Sequence, residues 1–146
     1  MYEQVTAYLG KLKPAHWHYP DQKDAEPNSF IPGWCDYDEV TDKFMHKMYE
    51  FVPNGGQNYD EVIYKATGLD CHEDLSKADI SKIDGDIILY MIFSMCRGER
   101  FSDGLFGSYV ANGTIDKMLT RLKELDIKKY PILFFEMTNR CFNNFR

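Results

Sequence analysis

The sequence predicts a mainly α-helical protein, a single compact multi-helix bundle over residues 1–146 with a long aromatic loop near the N-terminus. In most segments apolar residues recur every three or four positions, which is the spacing of one face of a helix. The composition, 44% hydrophobic and 15% aromatic, supplies enough apolar surface for one core in a chain of 146 residues. We therefore expect one helical domain.

The first helix is predicted over residues 2–12, where apolar side chains have helical spacing and Pro14 follows as a stop. Residues 15–34 show no period and contain three prolines, so we expect a long loop that its aromatic side chains hold against the core. Loops of this length inside compact domains often carry function.

Two segments share the pattern of a helix start. Residues 36–51 have an apolar stripe, and Glu39 stands three positions after Asp36, as in a capping box. The sequence NYDEV at residues 58–62 repeats the DYDEV of the first segment, with Asn58 in the place of the aspartate. We interpret both as capped helix starts, because no third copy indicates a repeat architecture.

The central helix is predicted over residues 80–95. Residues 87–93 are apolar on every side, which is typical of a helix enclosed by other helices. This run is far too short to span a bilayer. Gly85 is expected to be a weak point of the helix or a junction.

Two more helices are predicted after the central one. Ser102 is expected to cap a short helix, which ends in a left-handed turn at Asn112 and Gly113. Thr114 is expected to cap the next helix. For residues 132–137 the sequence leaves open one short edge strand or an extended tail packed on the bundle.

Cysteine spacing and net charge indicate the cellular compartment of the protein and the partners it can bind. The cysteines are widely spaced and form no CxxC pair, so reduced thiols are expected. The first residues lack the basic and apolar regions of a signal peptide. We expect a cytoplasmic protein without membrane contact, and the net charge of -6 works against direct binding to nucleic acid.

Arg97 and Arg100 come directly after the central helix, in the sequence RGERF. Cations at a helix C-terminus can satisfy its carbonyls or pair with a nearby carboxylate, which is a structural role. Because the two arginines are three residues apart, they can also point the same way and hold a phosphate or carboxylate. The sequence favours the structural interpretation and leaves the anion clamp open.

Metal-capable side chains are present but dispersed. Zinc sites usually contain closely spaced ligand pairs, and here only His16 with His18 and Cys71 with His72 come near such a pair. Cys35 is a further candidate ligand. We predict no metal site and no cofactor. No P-loop, HExxH, nucleophile elbow or dinucleotide-binding motif occurs, so no catalytic residue is predicted.

The short helix, the turn and the following helix have the order of a DNA-binding helix-turn-helix unit. The second helix would present Lys117 and Arg121 to the nucleic acid. Asp116 and Glu124 lie in the same helix and dilute this basic face. A nucleic-acid binder is therefore an alternative that the charges disfavour.

Residues 97–122, RGERFSDGLFGSYVANGTIDKMLTRL, resemble an uncharacterised domain family of bacteria and their mobile elements. The YDEVTDKFMHKMYEF helix and the following Asn58-Tyr59 also fit, so the resemblance covers about the last three-quarters of the chain, without the tail after Ile127. The matching positions are Arg97, Arg100, Phe101, Gly104, Gly113, Ile115, Leu119, Arg121 and Leu122. Because that family has no established function, the resemblance implies no activity.

We predict that the chain is a non-catalytic protein-binding or regulatory domain. Between residues 36 and 61 the sequence has seven acidic residues and only two lysines. One setting is a mobile-element inhibitor of a host defence nuclease of the CRISPR type, in which an acidic face imitates phosphate charge. The predicted binding residues are Asp38, Glu39, Asp42, Asp60 and Glu61, with Tyr37, Tyr59 and Trp34 as aromatic anchors.

The sequence leaves two alternatives to this function. One is a small-ligand or nucleotide-binding enzyme that uses Arg97, Arg100 and His16 or His18. The other is the helix-turn-helix nucleic-acid binder. The oligomeric state is not indicated by any of these patterns.

Overall fold

The computed structural model describes residues 1–129 of the chain. Within this range the protein is mainly helical, as predicted, with one small antiparallel sheet. Its elements are α1 (Glu3–Thr6), β1 (His16–His18), β2 (Trp34–Asp36), α2 (Glu39–Phe51), α3 (Tyr59–Thr67), α4 (Gly85–Gly98), α5 (Leu105–Ala111) and α6 (Thr114–Lys129). The strand or tail predicted at residues 132–137 lies outside the described residues.

Helix α4 is the centre of the molecule, as its apolar run predicts. Ten of its 14 residues are buried, and α2, α3, α5 and α6 all pack against it. The helix begins at Gly85, where a Cβ would collide with the Tyr2 ring. Gly85 is therefore a junction that the N-terminal segment covers. Among the described residues, no helix has the length and apolarity needed to cross a membrane.

Helix α1 is shorter than predicted. It covers four residues and continues as tighter turns, in which amides bond to carbonyls three residues back. Gly10 lies in this turn segment with φ of +75°, and its amide donates to the Asp116 carboxylate of α6. The segment thus attaches to α6 through tertiary contacts rather than through helix length, with Val5 buried in the core.

The predicted aromatic loop at residues 15–34 contains strand β1 and ends at the first residue of strand β2. Strands β1 and β2 pair antiparallel, with His16 opposite Asp36 and Trp17 opposite Cys35. Because side chains alternate between the two faces of a strand, Trp17 and Cys35 share one face. This face is the inner one: a Cβ on Gly104 would collide with the Trp17 ring. The ribbon is thereby fixed to the connection between α4 and α5.

Several predicted caps are wrong. Helix α2 is capped by Asp38, whose carboxylate accepts from the Thr41 amide at 2.9 Å. Asp36 cannot serve, because its backbone pairs in β2. Asn58 has a left-handed backbone and makes no side-chain cap bond to α3.

At the start of α6 the predicted cap Thr114 is also wrong. Its amide and hydroxyl both donate to the side-chain oxygen of Asn112, at 3.0 and 2.6 Å, so Asn112 is the acceptor. The predicted left-handed turn is confirmed at Gly113, which has φ of +82°.

Candidate ligand-binding site

Glu99, at the end of α4, has a structural role. Its carboxylate accepts from the backbone amides of Gly104 at 2.7 Å and Phe106 at 2.9 Å. These amides belong to the first turn of α5, where N–H groups have no partner within the helix. Glu99 therefore supplies the cap that the sequence assigned to Ser102, and that assignment is wrong because α5 begins three residues later.

Tyr37 completes this arrangement. Its hydroxyl donates to Glu99 at 2.8 Å and accepts from the Gly107 amide at 2.9 Å. Burial raises the pKa of the Tyr37 phenol, and the hydrogen bond to the Glu99 carboxylate raises it further. The phenol therefore remains protonated and joins the segment before α2 to the start of α5.

Arg97 lies on the opposite side of the α4 end and has no such partners. Its guanidinium carbon is 5.6 Å from the centroid of the Tyr59 ring and 5.9 Å from that of Phe93. Cation–π attraction from both rings fixes the position of the side chain. Its Nε is buried and donates to no acceptor among residues 1–129. Leaving a donor buried without an acceptor costs about 1–3 kcal/mol.

Arg97 lines a cavity of about 330 Å³, which we call the Arg97 cavity. This volume is at the lower end of the range for small-molecule sites. The wall combines one cation with hydroxyl, imidazole and apolar groups. Its other lining residues include Tyr59, His72, Ser94, Ser102, Leu105 and Tyr109.

One wall of the Arg97 cavity is the loop at residues 70–73. The loop is held by its own carboxylates: Asp70 accepts from the His72 amide at 2.9 Å, and Glu73 accepts from the Asp70 amide at 2.6 Å. Cys71 also faces the cavity, but burial and the neighbouring Asp70 raise the pKa of its thiol. A thiol with a raised pKa is a poor nucleophile, so the cavity is better suited to binding than to thiolate catalysis.

The two arginines are not brought together as one clamp. Arg100 is exposed, and its guanidinium carbon lies 5.3 Å from the Tyr49 ring centroid. It lines a separate cavity of about 580 Å³, the Arg100 cavity, whose wall contains Asp36, Asp42, His46 and Asp103. Arg97 and Arg100 therefore face two different cavities, one toward α3 and one toward α2.

The predicted acidic residues have several different environments. Asp38 caps α2, Asp42 lines the Arg100 cavity, and Glu61 pairs with Lys65 at 2.8 Å. Glu39 and Asp60 are exposed, and no described cation pairs with either.

The three predicted aromatic anchors also differ in exposure. Tyr37 is half-buried and bonded to Glu99, and Tyr59 packs edge-on against Phe93 at 5.5 Å. Only Trp34 is open to solvent, with 52% of its surface exposed.

The metal-capable residues form two groups instead of one. His16 and His18 lie beside Asp36, while Cys71 and His72 lie beside Asp70. Cys35 belongs to neither group, because its sulfur is on the inner face of the ribbon, 3.7 Å from Glu99. Sequence spacing could not identify Asp36 as a neighbour of the histidines, since only the strand register brings it there.

The predicted DNA-reading helix is α6. Arg121 donates to the Ser81 carbonyl at 3.0 Å and is 3.4 Å from the Glu124 carboxylate. One face of α6 is buried against the core, through Met118, Leu119 and Leu122. Arg121 thus serves contacts within the protein, and Lys117 remains exposed.

Comparison with known proteins gives one match. The model of a family of unknown function, DUF6508, matches residues 2–128. The match includes residues 2–30, which the resemblance inferred from the sequence left out. No curated protein and no solved structure matches.

Proposed function

We propose that this chain, which belongs to the DUF6508 family, binds a small molecule with an anionic group in the Arg97 cavity. The observation that carries the proposal is the place of Arg97, a cation that lines the cavity and forms no ion pair with a carboxylate among residues 1–129. A ligand carboxylate or phosphate would supply the missing partner for this charge. Arginine is suited to such groups because its planar fork matches their geometry.

The rest of the cavity supports a ligand with an apolar or aromatic body. Leu105 and Met95 provide apolar surface, whereas Ser94 and His72 provide a few polar groups. This combination is typical of small-molecule sites, in which convergent polar groups orient a mainly apolar ligand. Glu73 is the acid in the wall, and its carboxylate already accepts from the Asp70 amide.

The test is a thermal-shift screen of the untagged full chain against nucleoside monophosphates and aromatic carboxylates. A ligand at about 100 times its Kd adds roughly 2.7 kcal/mol to the free energy of unfolding, so a true ligand raises the Tm. Titration calorimetry then compares the native chain with Arg97→Met. We expect at least about a tenfold loss of affinity from loss of the charged fork.

Arg100→Met is the matched control. It removes the same charge from the same helix end, but at the other cavity, so affinity for the ligand should be retained. Circular dichroism of both variants checks that the helices are intact. A panel without any Tm shift, or equal ligand affinity in Arg97→Met and the native chain, would contradict the proposal.

A second candidate is protein binding through the acidic residues of α2 and α3. Its support is the exposure of Glu39, Asp42, Asp60 and Glu61, together with the exposed Trp34. Carboxylates that imitate phosphate charge would fit a nucleic-acid channel, as in a nuclease inhibitor encoded by a mobile element. This candidate requires a basic partner protein in the cytoplasm.

The second candidate is tested by capture from a nuclease-treated host lysate. Asp38→Asn, Asp42→Asn and Asp60→Asn are combined, and asparagine at position 38 keeps the cap of α2. We expect the triple variant to lose the captured protein. The control neutralises three other acids, Asp24, Glu26 and Glu124, and should retain it. Equal capture by both variants would exclude an acidic interface.

A further inference from the structure

We propose that His16, His18 and Asp36 form a binding site for a divalent first-row metal ion on the outer face of the β1–β2 ribbon. The register places His16 directly opposite Asp36. His18 is two residues from His16 on the same strand, so all three side chains share one face. The proposal is independent of ligand binding in the Arg97 cavity, which these residues do not line.

The distances within the group are short enough for the three residues to hold one ion. His18 Nε2 lies 2.9 Å from one oxygen of Asp36, and His16 Nδ1 lies 3.6 Å from the other. One donor atom from each of the three residues lies within 4.8 Å of the other two. Metal–ligand bonds of about 2.0–2.1 Å put tetrahedral donors roughly 3.3 Å apart, so rotations of these side chains bring the donors to the spacing that an ion requires.

The ribbon holds the donors in place. The Trp34 ring stacks on the His18 imidazole, with centroids 5.1 Å apart and planes 12° apart. On the inner face, Trp17 packs at Gly104, and the Cys35 sulfur contacts Glu99. An ion would therefore meet a set of donors whose backbone is already fixed, which lowers the ordering cost of binding.

The donor types define the class of ion. Two imidazoles and one carboxylate suit Zn²⁺ and Fe²⁺. Three protein ligands leave at least one position for water or a ligand oxygen, which is typical of reactive rather than purely structural sites. Asp36 also lines the Arg100 cavity, so the ion would lie at the rim of that cavity.

The second group, at residues 70–72, is a weaker candidate. Its three donors come from consecutive residues, and one Asp70 oxygen already accepts from the His72 amide. In the ribbon, the two Asp36 oxygens face the imidazoles of His16 and His18.

The test uses untagged full-length chain and zinc chloride alone, titrated against a chromophoric chelator. We expect one zinc per chain in the native protein. His16→Ala and Asp36→Asn should each weaken zinc affinity at least about tenfold, because each removes one of three ligands. Both side chains are mostly exposed, at 74% and 60%, so the variants should keep the native Tm without metal.

His46→Ala is the matched control, because His46 is an exposed histidine whose Nδ1 lies 3.5 Å from the Asp42 carboxylate. It should bind zinc like the native chain. Cobalt substitution gives a second readout, and the expected spectrum lacks thiolate-to-cobalt charge transfer. Unchanged zinc affinity in His16→Ala and Asp36→Asn, or a thiolate band that indicates cysteine ligands, would overturn the proposal.

Discussion

At the scale of single residues, Glu99 and Arg97 differ in what satisfies their charge. They are two positions apart at the end of α4, and both belong to the RGERF sequence. Glu99 accepts from two backbone amides and from the Tyr37 hydroxyl, so the fold uses its whole carboxylate. The Arg97 guanidinium lies against the Tyr59 and Phe93 rings and forms no ion pair with a described carboxylate. The charge cluster thus contains one carboxylate that the fold uses and one cation without a described ion-pair partner.

Tyr37 gives the first residue-scale prediction, a loss of stability at alkaline pH. In the folded protein, burial and the Glu99 carboxylate raise the pKa of this phenol. In the unfolded chain the phenol has its ordinary pKa of about 10. The unfolded state therefore loses its proton first, and the free energy of unfolding falls as pH rises above about 10. Below that pH the contribution of Tyr37 is fully present.

Tyr37→Phe checks this prediction by urea unfolding at pH 7 and pH 10.5. The variant should be less stable at pH 7 by about 1–2 kcal/mol, because the Gly107 amide loses its acceptor. It should also lose less stability than the native chain between the two pH values. Some loss remains from Tyr2, whose pKa is raised to about 12 by burial and by Asp86.

Tyr64→Phe is the control for Tyr37→Phe, since Tyr64 is 60% exposed and donates no described hydrogen bond. It should follow the native stability curve. If Tyr37→Phe loses as much stability between pH 7 and 10.5 as the native chain, the assignment of the alkaline loss to Tyr37 is wrong.

At the scale of elements, periodicity predicted the helices and missed the ribbon. Helices α4 and α2, with 14 and 13 residues, are each more than three turns long, so the helical period is visible in their apolar residues. Strands β1 and β2 have only three residues each, too few for an alternation to be recognised. They are also separated by a loop without period, and their pairing depends on packing at the α4–α5 connection.

A residue of a candidate site could be predicted from the sequence only where its position depends on a single helix or strand. Arg97 was identified from its place after an apolar helix, a local feature. Its separation from Arg100 was not predictable, because it depends on α3 packing on one side of α4 and α2 on the other. Asp36 was assigned to a helix cap by local spacing, whereas strand pairing, a contact across twenty residues, places it beside His16.

At the scale of the whole molecule, the two ends of α4 have different surroundings. The N-terminal end is closed: Tyr2 covers Gly85, and the Tyr2 amide donates to Asp126 of α6 at 2.7 Å. The C-terminal end bears the Arg97 cavity, the Arg100 cavity and the ribbon with its histidines. Substitutions at the closed end should therefore change stability without changing ligand or metal binding.

Asp126→Ala tests whether a change at the N-terminal end of α4 affects stability alone. The Asp126 side chain is only 14% exposed, so its loss leaves the partly buried Tyr2 amide without an acceptor. We expect the free energy of unfolding in urea to fall by about 1–3 kcal/mol. Asp116→Ala is the matched control, because Asp116 accepts from the Gly10 amide at an exposed position where water can replace it. Its effect should stay within about 0.5 kcal/mol.

The second readout of Asp126→Ala is zinc titration of the folded variant. Since the described polar partners of Asp126 are the Tyr2 amide and the N-terminal amine, zinc affinity should equal that of the native chain. A weakened zinc affinity at a temperature where the variant is fully folded would show that the two ends of α4 are coupled. Coupling of that kind has two packed routes from α6 to the ribbon: along α4, or through α5, which packs against both helices.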